Sequence, residues 1–160
     1  MSQNQYNDFR QLNLLTMVIG ALYHESSTRL GITDNIALVL HFLYDNGQRC
    51  PVSDMYKLTG VPKQTINSSL RRLEKAGIVY LEPYNGRSKE VRLTEKGEEF
   101  MHQTIGQLRN AEIHALDDWT TEEVESYIYL MTKFSASLRR EFTKLDGPSI
   151  DLQMGFGKRE

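Results

Sequence analysis

The apolar positions of this chain change their period twice. From residue 6 to residue 30 they recur at helical spacing. Phe9, Leu12, Leu15, Ile19 and Leu22 form one stripe, and Leu14, Val18 and Ala21 widen it. That pattern predicts a long helix whose apolar face is too broad for one neighbour to cover, so a second subunit is expected against it. The alternative is a helix buried within its own domain. Gly31 breaks the run. Thr33 or Asp34 suits the cap of a second helix, with Ile36, Val39, Leu40 and Leu43 facing inward and Asn46-Gly47 ending it. Pro51-Val52 reads as a short extended bridge.

The stretch Ser53 to Gly77 predicts two short helices with a tight turn between them. Ser53 is a suitable N-cap, Gly60 can take the positive φ that ends the first helix, and Pro62 suits the start of the second. In that second helix Ile66, Leu70 and Leu73 fall at i, i+4 and i+7 and face inward. The opposite face carries Lys63, Gln64, Asn67, Ser68 and Arg71, donors and acceptors suited to base edges and phosphates in a major groove. This is helix-turn-helix patterning with the second helix as the reader. The competing reading is an amphipathic helical hairpin whose polar face is merely solvated.

After Gly77 the period shortens. Ile78 to Leu81 is a β-rich run ended by Pro83, Asn85-Gly86 is a hairpin-turn signal, and Ser88 to Thr94 alternates with Val91 and Leu93 on one face. A hairpin directly after a reader helix is the wing of a winged helix, and its tip, residues 85–89, is polar and basic. Helical spacing returns from Thr94 to about Leu116, with Phe100, Ile105, Leu108, Glu112 and Ala115 near one side. Trp119 sits in a break. Thr120 and Glu123 form a capping box ahead of Val124, Tyr127, Ile128, Met131, Phe134, Leu138 and Leu145. The residues from 146 to 160 have no period and predict a loosely held tail.

Charge sharpens the picture. The chain has 160 residues and a net charge of −2. Residues 49–96 hold ten Lys/Arg against five acids, a local +5, and the remainder holds nine against sixteen, −7. A basic middle between acidic ends fits a polyanion-binding module on a scaffold that does not touch the polyanion. The single cysteine, Cys50, excludes an internal disulfide and fits a reducing compartment, and no signal peptide or membrane span is visible, so a cytoplasmic location is expected. Arg49 beside Cys50 is the one feature that favours a reactive thiol; a packed, inert one is the alternative. No phosphate loop, nucleophile motif or His-Glu-x-x-His helix is present, so neither catalytic residues nor a cofactor is expected. The four histidines are scattered. His102 and His114, twelve residues apart, cannot chelate one ion together, and no metal site is expected.

The order of elements, the segment Leu73-Glu-Lys-Ala-Gly-Ile-Val79 and the wing sequence from Arg87 to Gly97 resemble the MarR family of winged helix-turn-helix regulators, over about residues 9–145. The resemblance implies a mainly α fold with a small β-hairpin wing. It implies a single domain over residues 1–160, with a DNA-binding lobe at 31–96 and dimerisation helices at 6–30 and 97–145. It implies a homodimer that binds a pseudo-palindromic operator in double-stranded DNA, mostly as a repressor, in many members under control of a small-molecule effector. The DNA-binding residues expected on that basis are Ser53, Pro62, Lys63, Gln64, Thr65, Asn67, Ser68, Arg71, Arg87, Ser88 and Lys89. The family's wing commonly reads Asp-x-Arg, whereas this chain has Asn85-Gly86-Arg87. For an effector, Tyr23, Phe42, Tyr44 and Tyr56 are the local aromatic supply. The reading from a different class is a winged-helix protein-interaction module without DNA binding, against which the basic wing and middle segment speak.

Overall fold

The computed structural model describes residues 3–86 and 88–145. Arg87 and the tail from 146 to 160 therefore lie outside the described residues. Contacts divide the chain into two compact units, Met1–His114 and Ala115–Glu160. The first unit runs α1 (Gln3–Arg29), α2 (Asp34–Asp45), β1 (Arg49–Pro51), α3 (Val52–Thr59), α4 (Lys63–Lys75), β2 (Val79–Pro83), β3 (Lys89–Leu93), α5 (Glu95–Met101), a π-helical stretch (His102–Gly106) and α6 (Gln107–His114). The second contains α7 (Thr121–Phe142).

The apolar positions that set the helical period are the ones the first unit buries. Leu40 and Leu43 of α2, Met55 of α3, Ile66 of α4, Val91 of β3 and Ile105 of the π-helical stretch form one core, fully removed from solvent. α1 behaves differently. Its stripe, from Phe9 at 41% to Leu22 at 57%, remains exposed, and the only buried residue of the helix is Ser27 near its C-terminal end.

The sheet has three strands, not the two of the expected hairpin. Its order is β1-β3-β2 and every pair is antiparallel. β3 is central: Val91 faces Cys50 on one side and Leu81 on the other. The stretch read as a bridge at Pro51-Val52 is thus the end of a strand and the first residue of α3. Three residues ending in proline have no period to detect, and proline is tolerated because β1 is an edge strand. One cap differs from expectation. α3 begins at Val52, so Ser53 lies inside its first turn and donates its hydroxyl to Asp54 instead of capping. Thr33 occupies the N-cap position of α2 without a side-chain bond, while the Asp34 carboxylate pairs with His24 Nδ1 at 2.8 Å.

The junction between α4 and α5 is held by several contacts at once. Gly77, at φ +71°, turns the chain out of α4, and Ile78 N–H donates back to Leu73 O. Thr94 caps α5 by accepting from Gly97 N–H at 2.9 Å and donates its own hydroxyl to Gly77 O at 2.6 Å. Lys96 Nζ reaches Ala76 O at 2.8 Å. A cation and a hydroxyl thereby satisfy carbonyls at the C-terminal end of α4, where the helix dipole is negative. Gly97 is there because nothing larger fits: a Cβ would stand 2.0 Å from Ile78 O.

In the second unit the expected capping box is present. Thr120 Oγ1 accepts from Glu123 N–H, and Thr120 N–H donates to Glu123 Oε2 at 2.8 Å. The helix ends at Phe142, short of Leu145. Trp119 packs edge to face on Tyr127, 5.6 Å between ring centres. Tyr127, Ile128 and Met131 are exposed on α7.

Gly97→Ala is expected to destabilise the protein by at least about 1–3 kcal/mol, since the clash is with backbone and can be relieved only by moving α5 off α4. Thermal or urea unfolding of the variant checks this; an unchanged midpoint would show that the junction yields freely.

Candidate nucleic-acid interface

The turn between α3 and α4 is built as the residue types require. Gly60 adopts the left-handed conformation at φ +69°, and the Thr59 hydroxyl donates to Met55 O and accepts from Val61 N–H. Pro62, at φ −54° and ψ 136°, holds the N-cap position and leads into Lys63, the first residue of α4. Ile66, Leu70 and Leu73 are 0–3% exposed and seat the helix on α2 and β2. The rest of α4 is therefore presented outward by a fixed support.

The structure sorts the expected contact residues into three groups. Ser53, Lys63, Asn67, Arg71, Ser88 and Lys89 line one open notch of about 300 Å³ between α3, α4 and the hairpin, with Val52, Leu70 and Leu81 as its apolar floor. Gln64 and Ser68 stand on the outer, exposed face of α4, where the Ser68 hydroxyl donates back to Thr65 O. Pro62 and half-buried Thr65 shape the start of the helix, Thr65 through its N–H to Pro62 O. Tyr56, absent from the expected set, also lines the notch, and Lys63 Nζ lies 5.7 Å from the centre of its ring. No periodicity connects Tyr56 with Lys63, because they lie on different helices and meet only through the turn.

The hairpin turns at Asn85-Gly86, where the sequence signal placed it. Ser88 N–H donates to Asn85 O and Tyr84 N–H to Ser88 O, and Gly86 takes φ +59°. The Ser88 hydroxyl bonds the Asn85 backbone, donating to its carbonyl at 2.8 Å. Ser88 thus takes part in fixing the tip.

Two of the ten bases in the middle segment are turned to structural use. Arg92 on β3 forms ion pairs with Glu82 at 2.6 Å and with nearly buried Glu90 at 2.9 Å. The hydrogen bond to Glu90, then the two carboxylate charges, raises its pKa. Lys96 is committed to the end of α4.

Elsewhere in the first unit an open cleft of about 510 Å³ lies between α1, α2 and α6, lined among others by Tyr23, His24, Asp34, His41, Arg109 and Glu112. Arg109 bridges Asp45 at 2.6 Å and Glu112 at 3.0 Å. Burial, against the opposing pull of Glu112, lowers the pKa of His41. Of the four aromatics considered for an effector, only Tyr23 lines this cleft. Phe42 packs on the core, Tyr44 lies under the Arg109 guanidinium, and Tyr56 belongs to the notch. Among the described residues no group of three or more metal-ligating side chains converges, and no helix is long and apolar enough to cross a membrane.

A model of the MarR family matches residues 30–88. The fold is similar to that of AbsC, a MarR family transcriptional regulator from Streptomyces coelicolor, at 20% identity and a TM-score of 0.72, covering 87% of this chain and 97% of that one. NMB1585, a MarR family regulator from Neisseria meningitidis, is similar at 14% identity and a TM-score of 0.76, over 86% and 97% of the two chains. A mutant MarR from E. coli, solved in complex with operator DNA, is similar at 25% identity and a TM-score of 0.58, over 78% and 91%. Among proteins of curated function, none matches the sequence.

Cys50 is buried on β1, and burial, then the Asp54 and Glu90 carboxylates, push its thiol up to about 11. The neighbouring Arg49 does not activate it. At pH 8 the native protein is expected to react with a thiol reagent about two orders of magnitude more slowly than free cysteine, with full labelling on unfolding. Rapid stoichiometric labelling of the folded protein would contradict this.

Proposed function

We infer that this chain, a winged-helix protein of MarR type, is a transcriptional regulator that binds a pseudo-palindromic operator as a homodimer and acts as a repressor in the cytoplasm. The observation that carries the reading is the shape of the basic lobe. One helix is fixed from behind by Ile66, Leu70 and Leu73, and it presents Gln64 and Ser68 outward with Lys63, Arg71 and Lys89 beside them. That is the arrangement a reader helix needs: a rigid support, amide and hydroxyl groups for base edges, and flanking cations for phosphate. Gln64, with a free carboxamide on the exposed face, is the residue suited to bidentate contact with adenine. Arg87, at the wing tip in sequence, is assigned to the minor groove, where a narrow A·T-rich stretch attracts a guanidinium. A protein-interaction module has no need of three cations around one notch.

The dimer follows from α1. A row of large apolar side chains at 41–57% exposure is not left in water by a stable protein, and a second copy covers it most simply. The apolar residues of α7, Tyr127, Ile128 and Met131, are exposed as well and are assigned to the same use. A small-molecule effector is assigned to the cleft between α1, α2 and α6, whose lining combines apolar surface from Tyr23, Ala37, Leu38 and Leu108 with the ionisable groups.

Two outcomes are expected. Selection from random duplexes should recover a pseudo-palindromic site. On that site Gln64→Ala should relax base preference at one position per half-site at a cost of about 1–3 kcal/mol, while Arg71→Ala should weaken binding evenly across sequences and lower the salt slope by about one per protomer. A protein that is not retained on any duplex at low salt is not a DNA-binding regulator. In sedimentation the protein should be a dimer at micromolar concentration, with an interface above about 2,000 Å² in total; a monomer there would leave the α1 surface unexplained.

A further inference from the structure

The notch between α4 and the hairpin has a consequence for how DNA is held. Major and minor grooves are separated by one sugar–phosphate strand. A reader helix in one and a wing in the other must straddle that strand, and the surface between them must meet it. In this chain that surface is a concavity of about 300 Å³ with Lys63, Arg71 and Lys89 among its lining and Leu70 and Leu81 at its base. Cations suit the phosphate oxygens, and an apolar base suits deoxyribose carbons.

We propose that the notch seats the sugar–phosphate strand between the two grooves, and that the ring of Tyr56 is a positioning residue that holds the Lys63 ammonium toward it. The proposal rests on the DNA-binding reading above and adds to it the role of Tyr56. Tyr56 is half-buried, its body packed against the core of the lobe, so its ring is a fixed platform. Lys63 Nζ lies 5.7 Å from the ring centre, within the range of cation–π attraction. Lys63 is also the first residue of α4, where the helix dipole repels a cation rather than restraining it. The ring supplies what the helix end does not. A lysine confined over an aromatic face gives up less rotamer freedom on meeting a phosphate than one that is wholly free. Arg71 and Lys89 have no aromatic partner among the described residues, which sets Lys63 apart within the notch.

The test is a double-mutant cycle on a duplex selected with the parent protein, measured at two salt concentrations and repeated on a scrambled duplex. Tyr56→Phe keeps the ring and should bind like the parent. Tyr56→Leu should weaken binding about two- to five-fold, equally on both duplexes. Lys63→Gln should lower the salt slope by about one per protomer, and adding Tyr56→Leu to it should cost nothing further. Stoichiometric titration counts the competent fraction, so a loss of folded protein is kept apart from a loss of affinity. The proposal is overturned if Tyr56→Leu binds like the parent, if its effect persists undiminished beside Lys63→Gln, or if Tyr56→Phe is as weak as Tyr56→Leu. Should Tyr56→Leu not fold, Lys63→Gln decides the phosphate role by its slope, and Tyr56→Phe decides between ring and hydroxyl. A parent that shows no salt-dependent binding at all would overturn the regulator reading itself, whereas a binding parent with an unchanged Lys63→Gln slope would overturn only this one.

Discussion

Everything the basic lobe presents depends on how the end of α4 is held. Ala76, Gly77 and Ile78 expose carbonyls that no residue of their own helix can satisfy. Thr94 and Lys96 satisfy them from the start of α5, and Gly97 allows the approach by having no side chain. The contact is polar on one side and steric on the other, so it sets position as well as energy. It ties α4 to α5, the helix that follows the hairpin. Between the two lies the hairpin, whose ends at Val79 and Leu93 are paired across the sheet. The orientation of α4 relative to the wing is therefore fixed by a loop of interactions closed at both ends.

That constraint also decides what the charges are for. Ten bases in one segment look alike along the sequence. In the structure Lys96 terminates α4 and Arg92 neutralises Glu82 and Glu90 on the outer face of the sheet. Glu82 and Glu90 stand directly opposite each other on neighbouring strands, and like charges so placed destabilise a sheet unless a counter-charge lies between them. Lys63, Arg71 and Lys89 instead share the notch. The excess of base over acid is thus partly a structural requirement of a short sheet and partly a surface available to a polyanion.

The cleft between α1, α2 and α6 illustrates the opposite case. The aromatic pattern marked only Tyr23 of it, because the rest of its named walls, His24, Asp34, His41, Arg109 and Glu112, are ionisable and α6 lies far from α1 and α2 in sequence. The four aromatics Tyr23, Phe42, Tyr44 and Tyr56 went to four different surroundings. Side chains such as Phe42 and Tyr56 are placed by the need to bury area against the nearest core, and that need is not encoded in their spacing from one another.

By itself the sequence determined the helical periods, the helix-turn-helix with Gly60 and the inward stripe of α4, the capping box at Thr120, and the hairpin as a hairpin. Each of these is local: a residue's preferred φ, a cap three residues away, or a stripe repeated every turn. Tertiary structure alone decided the third strand, the entry of α3 at Val52 rather than Ser53, the division of the bases, and the meeting of Tyr56 with Lys63. Each of these is a contact between segments that no short-range period relates. β1 is a strand only because β3 offers it hydrogen bonds. Asn67 turns into the notch only because the wing stands beside α4. The close approach of Gly97 to Ile78 O, which helps to hold the end of α4 beside the hairpin, is likewise invisible along the chain, where Gly97 is only the last residue of the wing sequence.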